Sequence, residues 1–259
     1  MELYKSVKEK LLKEIEGVSR KHSLSLFDKI RKEKNLRTLE ALLTEAHFGL
    51  YLDKISSSLK YNHTMGGALT PDFAFTMNGQ EIIVEVARIN PVQKDMDIDD
   101  EENKMIESFR KSNPTDHIIP GVHSITWNPE RLVGKRGSIV KKAERYKNLV
   151  ADLNKPFIVC VYMAFVSALD RLDLSHSLYG SLSELGGELE GLGYAFNSPF
   201  RVLEKALYYN NEDVRRTISG VLLKDHDGSF IFYQNYSSEN RLNKENLNFF
   251  SSIQGSTSD

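Results

Sequence analysis

Cysteine is nearly absent from this chain: Cys160 is the sole thiol among 259 residues. One thiol excludes an internal disulfide framework, and with it the small secreted scaffolds that fold around one. Its neighbours Phe157, Ile158, Val159, Val161 and Tyr162 are apolar or aromatic, so Cys160 is expected to be a core side chain. Long apolar runs are missing as well, and none approaches the ~20 residues of a membrane-spanning helix. The opening stretch Met1-Glu2-Leu3-Tyr4-Lys5 has no apolar signal core. These absences set the expectation of a cytoplasmic protein with no membrane partner. Net charge is also slight, at −2.

That small number hides segregation. Residues 1–37 carry eleven Lys/Arg against six Asp/Glu, and residues 131–147 carry seven against Glu144 alone. Residues 95–107 carry seven acids against Lys104. Basic surfaces on a nearly neutral protein suit a nucleic-acid partner, although such runs are also the usual solvated faces of helices. A hydrophobic fraction of 40% and a charged fraction of 27% are those of an ordinary globular chain. The length suits one sizeable domain with helical additions.

Apolar residues recur at helical spacing from Val7 through Leu11, Leu12, Ile15 and Val18, and residues 3–60 read as helical overall. Gly17, Ser19 and Ser23 predict a break before a second helix over 23–34. A third, over 36–52, buries Leu39, Leu42, Leu43, Ala46 and Leu50. Residues 90–130 hold Pro91, Pro114, Pro120 and Pro129, which predicts an irregular segment. A helix over 138–153 shows Ile139, Ala143, Tyr146, Leu149 and Val150 on one side, and a buried strand follows over 156–164. Helices are expected near 168–179, 200–210 and 212–217. A closing hairpin is expected around Asp227-Gly228, and a disordered tail over 251–259. The domain reading is a helical extension over 1–35, a main domain over 36–250, and that tail.

The stretch carrying chemistry is 70–88. Two strands meet at Asn78-Gly79, a dipeptide suited to the positive-φ positions of a type I′ turn. Asp72 opens the first strand, and Glu85 sits inside the apolar second one. A carboxylate in an apolar strand destabilises the fold unless something pairs with it, so two acids on neighbouring strands point to a cation between them.

Pro71-Asp72 followed by Glu85-Val86-Ala87 resembles the signature of the PD-(D/E)xK nuclease superfamily, in which Pro-Asp is followed by Glu-x-Lys. The order of later elements resembles it in outline across about residues 36–242. The resemblance implies an α/β fold of restriction-endonuclease type, with a mixed central sheet of about five strands flanked by helices. It implies a Mg²⁺-dependent endonuclease acting on DNA, in a restriction or phage-defence setting, with Mn²⁺ as an alternative cation. A homodimer or a protein partner stays open.

Hard carboxylate oxygens plus waters suit magnesium, and a divalent cation polarises a phosphodiester and acidifies a water. The resemblance implies Asp72 and Glu85 as ligands, joined by an acid from the preceding helix. Glu45, at the edge of that helix's buried face, is the choice. Ala87 stands where the superfamily has its lysine. Lys142, with Tyr146 four residues on and therefore on the same helical face, is the expected substitute. Lys135, Arg136, Lys141, Arg145 and Tyr146 are the expected nucleic-acid contacts. The alternative is a catalytically inactive nuclease-like module that binds nucleic acid or a protein partner. Asp95, Asp97 and Asp99 lack the glycine and glutamate of a calcium loop; His47 reads as a packed or exposed histidine, and Trp127 as a core anchor.

Overall fold

The computed structural model describes residues 2–65, 69–88, 137–162, 171–179, 207–225 and 228–253. Three helices come first: α1 (Glu2–His22), α2 (Leu26–Lys32) and α3 (Leu36–Ile55). Strands β1 (Ser58–Tyr61), β2 (Phe73–Met77) and β3 (Gln80–Arg88) follow. Then come α4 (Ser138–Leu153), β4 (Phe157–Tyr162), α5 (Arg171–Tyr179), α6 (Leu207–Asn210) and α7 (Glu212–Thr217). Strands β5 (Gly220–Lys224) and β6 (Phe230–Gln234) and helix α8 (Lys244–Ile253) complete the described elements.

The six strands form one sheet in chain order, β1-β2-β3-β4-β5-β6. β3, β4 and β5 run parallel, while β1, β2 and β6 pair antiparallel with their neighbours. The chain is therefore an α/β protein with a mixed sheet. Side chains alternate between two buried faces. Phe73, Phe75, Ile82, Val84, Ile158, Cys160 and Leu222 pack under α1–α3, and Ala74, Ile83, Ala87, Val159, Val161 and Val221 pack under α4. Helices on both sides explain why β3 and β4 read as continuous apolar runs.

Asn78 and Gly79 take φ of 45° and 72°, as a type I′ turn requires. The helix expected to break near Gly17 does not. A Cβ at Gly17 would meet nothing within 4 Å, so the glycine is spectator to an unbroken α1. The turn comes at Ser23, whose φ of 55° breaks the helical path. Residues 58–60, read as helical, begin a strand instead, because pairing with β2 buries Leu59 and Tyr61. This is the sixth strand beyond the five expected.

Leu11, Ile15, Val18, Leu24, Leu26 and Ile30 belong to the same buried cluster as Phe73 and Val84, so α1 and α2 help build that face. α8 was not foreseen. Asn243 caps it by accepting from the Asn246 N–H at 2.8 Å. Asn246, fully buried, donates to the carbonyl of Met77 and to the side chain of Gln80. The last helix thus clasps the β2–β3 turn. Among the described residues, no helix is long and apolar enough to cross a membrane. The acidic run 95–107, Trp127, the Gly/Ser-rich stretch 180–193 and the tail from 254 lie outside the described residues.

Candidate active site

The parallel strands β3, β4 and β5 end at one edge of the sheet, where β1 also ends and β2 begins. Crevices at the carboxyl ends of parallel strands are the usual ligand sites of open α/β sheets. The acids singled out by sequence lie there. Phe73 pairs with Val84, which sets Asp72 opposite Glu85 one step further along the hairpin. Asp72 accepts the Val86 N–H at 2.8 Å through its side chain and the Asn62 N–H at 3.0 Å through its carbonyl.

Glu85 is 2% exposed and points toward α4. Both its oxygens are engaged. Lys142 Nζ donates to Oε2, and the Tyr146 hydroxyl lies against Oε1. That hydroxyl is also 3.1 Å from the Thr70 carbonyl, so its single proton serves one acceptor at a time. Lys142 and Tyr146 stand four apart on α4, and this spacing delivers both to one carboxylate. Ala87, two residues beyond Glu85, is 3% exposed in the core under α4. The ammonium that reaches Glu85 comes from the facing helix.

Glu45 enters from α3. The Tyr61 hydroxyl donates to its Oε2 at 2.6 Å. Lys29 of α2 lies 4.7 Å above the Tyr61 ring. Burial raises the Glu45 pKa, while Tyr61 and Lys29 pull it back. Asp72 is pushed from the ordinary 3.8 to about 7, first by burial, then by the charges of Glu85 and Glu45; Lys142 opposes the shift. Three acids therefore influence one another through a poorly hydrated space, and Asp72 answers the excess negative charge by holding a proton near neutrality. Burial and the neighbouring acids raise the pKa of the Tyr61 and Tyr146 hydroxyls, which keeps both as donors.

A divalent cation suits this charge balance, because it would supply what the proton on Asp72 now supplies. Asp72 and Glu85 carry the hard oxygens such an ion prefers, and magnesium keeps several waters of its own. Among the described residues, no three His, Cys, Asp or Glu side chains are grouped as ligands of one ion. A cation bound here would have to rest on two carboxylates, with water completing its shell.

Lys141 and Arg145 are exposed on α4, with Arg145 placed 5.4 Å from the Tyr146 ring centre. Lys135 and Arg136 lie outside the described residues. Tyr61 and Lys29 were not among the residues singled out. Reading β1 as the end of a helix hid Tyr61; the alternation Leu59, Tyr61 was its signal. His47 tilts against Tyr162 with centroids 5.5 Å apart. Comparison with family models, curated proteins and solved structures finds no match to this chain.

Proposed function

We propose that this chain is a metal-dependent nuclease with a restriction-endonuclease-like fold, hydrolysing phosphodiester bonds of DNA. The observation that carries the reading is the meeting of Asp72, Glu85 and Glu45 with Lys142 and Tyr146 at the carboxyl edge of a mixed sheet. Burial, reinforced by the charges of Glu85 and Glu45, lifts Asp72 to about 7 and destabilises the fold, and strained electrostatics of this kind gather at functional sites. The hairpin order, with Pro71-Asp72 on one strand and Glu85 on the next, is the second support.

In this reading Asp72 and Glu85 hold Mg²⁺ or Mn²⁺, with Glu45 behind them. The cation, when bound, polarises the phosphate and acidifies a water. Lys142 balances the carboxylates and places its ammonium where a scissile phosphate or its attacking water gathers charge. Tyr146 fixes the orientation of Glu85 and donates a hydrogen bond. Lys141 and Arg145 face solvent and steer the phosphate backbone toward the edge. A restriction or phage-defence effector is the setting that suits such an enzyme.

The test is nicking of supercoiled plasmid with Mg²⁺ or Mn²⁺. Wild type cuts; Asp72→Asn and Glu85→Gln do not. A second reading, an inactive module, draws on one specific observation: both oxygens of Glu85 already have partners within the protein. If wild type cuts neither DNA nor RNA, and calorimetry detects no Mn²⁺ binding, that reading replaces the first.

A further inference from the structure

One row of residues at the same edge has no part in the chemistry above. Arg88 pairs with Tyr162, Tyr162 with Lys224, and Lys224 with Phe230, so these positions form a single row across β3 to β6. The row lies three residues beyond the Glu85–Val159 pair, about 10 Å along the strands, and this odd step turns Tyr162 to the opposite face, under α3 instead of α4. Tyr162 and Lys224, on the inner strands β4 and β5, and Phe230, on the edge strand β6, are only half-buried. Lys224 Nζ stands 4.4 Å over the Tyr162 ring. From α3, His47 tilts against Tyr162, and Tyr51 stacks on Phe230 with centroids 3.9 Å apart.

The chemistry of this row is unusual for a structural rim. A core rim would be aliphatic, or polar with its groups satisfied. Here the Tyr51 hydroxyl is buried without a hydrogen-bond partner among the described residues. His47 is held neutral, its pKa lowered to about 4 by burial and by the Lys224 charge, so its ring stays a flat, uncharged surface. Aromatic faces beside a lysine are the combination that binds unpaired bases, the rings by stacking and the ammonium by phosphate contact. Duplex DNA, whose bases are stacked on one another, offers nothing to such rings.

We infer that the row Tyr162–Lys224–Phe230, with His47 and Tyr51 of α3, is a stacking platform for single-stranded nucleic acid on the α3 face of the sheet, at the same carboxyl edge as the carboxylate cluster. The proposal rests on the nuclease reading for its purpose, and it names the substrate class: a single strand, or a strand opened from duplex. Binding requires no catalysis, so the two readings can be separated.

Fluorescence anisotropy in EDTA, with labelled oligo-dT and with a duplex of the same length, is the test. Wild type binds oligo-dT more tightly than duplex. Tyr162→Leu weakens oligo-dT binding about tenfold, the loss of one stacked base at about 1.4 kcal/mol, while Tyr162→Phe, which keeps the ring, binds as wild type does. Lys224→Gln lowers the salt slope of oligo-dT binding by about 0.7, one phosphate contact, and decides the matter if Tyr162→Leu does not fold. Equal or tighter duplex binding, or an unchanged salt slope in Lys224→Gln, overturns the proposal. A protein that binds oligo-dT in this pattern yet cuts nothing with Mn²⁺ keeps the platform and loses the nuclease.

Discussion

Replacing Asp72 by Asn should make the metal-free protein more stable, and the gain should depend on pH. The folded carboxyl titrates at about 7 against an ordinary 3.8. A carboxyl whose pKa is raised by folding holds a proton that the unfolded chain has already lost. Stability is therefore full below about pH 4 and falls as pH rises to about 7. At about 1.4 kcal/mol for each tenfold change in proton affinity, the ceiling on that loss is about 4 kcal/mol. Local relaxation and water entry lower it, which leaves about 2–4 kcal/mol. Asn keeps an oxygen for the Val86 N–H, which now donates to Asp72 at 2.8 Å, and it carries no charge at any pH. Urea denaturation in EDTA at pH 5 and pH 8 measures the effect. Wild type should lose stability between the two pH values, Asp72→Asn should hold it, and the variant should be the more stable at pH 8. With saturating Mg²⁺ at pH 8, wild type should recover stability and Asp72→Asn should not. Parallel denaturation profiles for the two proteins at both pH values would refute the crowded-acid account of this site.

Lys142→Met keeps the length of the side chain but leaves Glu85, 2% exposed, with Tyr146 as its remaining side-chain donor. We expect about 2–3 kcal/mol of destabilisation by urea denaturation and loss of plasmid nicking. Lys141→Ala/Arg145→Ala, at exposed positions on α4, should leave stability unchanged and reduce the salt slope of duplex binding by nearly two in filter binding. Gly220→Ala tests the sheet itself. A Cβ there would meet the Phe232 ring at 2.2 and 2.6 Å and the Tyr233 carbonyl at 2.9 Å. A loss of about 1–3 kcal/mol is expected by thermal melting. Asn246→Ala removes hydrogen bonds to Met77, Gln80 and Asn78. It should cost about 1–3 kcal/mol and speed hydrogen exchange at the β2–β3 turn.

What could be read from sequence was whatever a short local pattern encodes. Asn78-Gly79 specifies its turn through backbone sterics alone, and the 3.6-residue spacing from Ile139 to Val150 specifies α4 and its buried face. The i, i+4 relation of Lys142 and Tyr146 survives into three dimensions because helix geometry is rigid. β1 was misread because four residues, Ser58–Tyr61, give too short a window for period two against a long helical lead-in. What makes it a strand is pairing with β2, a contact the local sequence does not announce. Tyr61 and Lys29 were lost with it, since their relation to Glu45 arises only when α2, α3 and β1 have packed together. The row Tyr162–Lys224–Phe230 was invisible for a similar reason: Lys224 and Phe230 share a hairpin, but Tyr162 joins them only through the register of β4 with β5, more than fifty residues on.

The strands' spatial order repeats their order along the chain, and this bears on how the protein assembles. During synthesis each strand can dock on the exposed border of those before it, with no insertion between finished neighbours. The hairpin bearing Asp72 and Glu85 forms early by this route, yet among the described residues its turn is gripped by Arg241, Asn243 and Asn246, some 165 residues later. The acids therefore repel one another in a nascent sheet that has no final latch. Completion of α8 fixes the turn, so the end of the hairpin away from the acids is secured last.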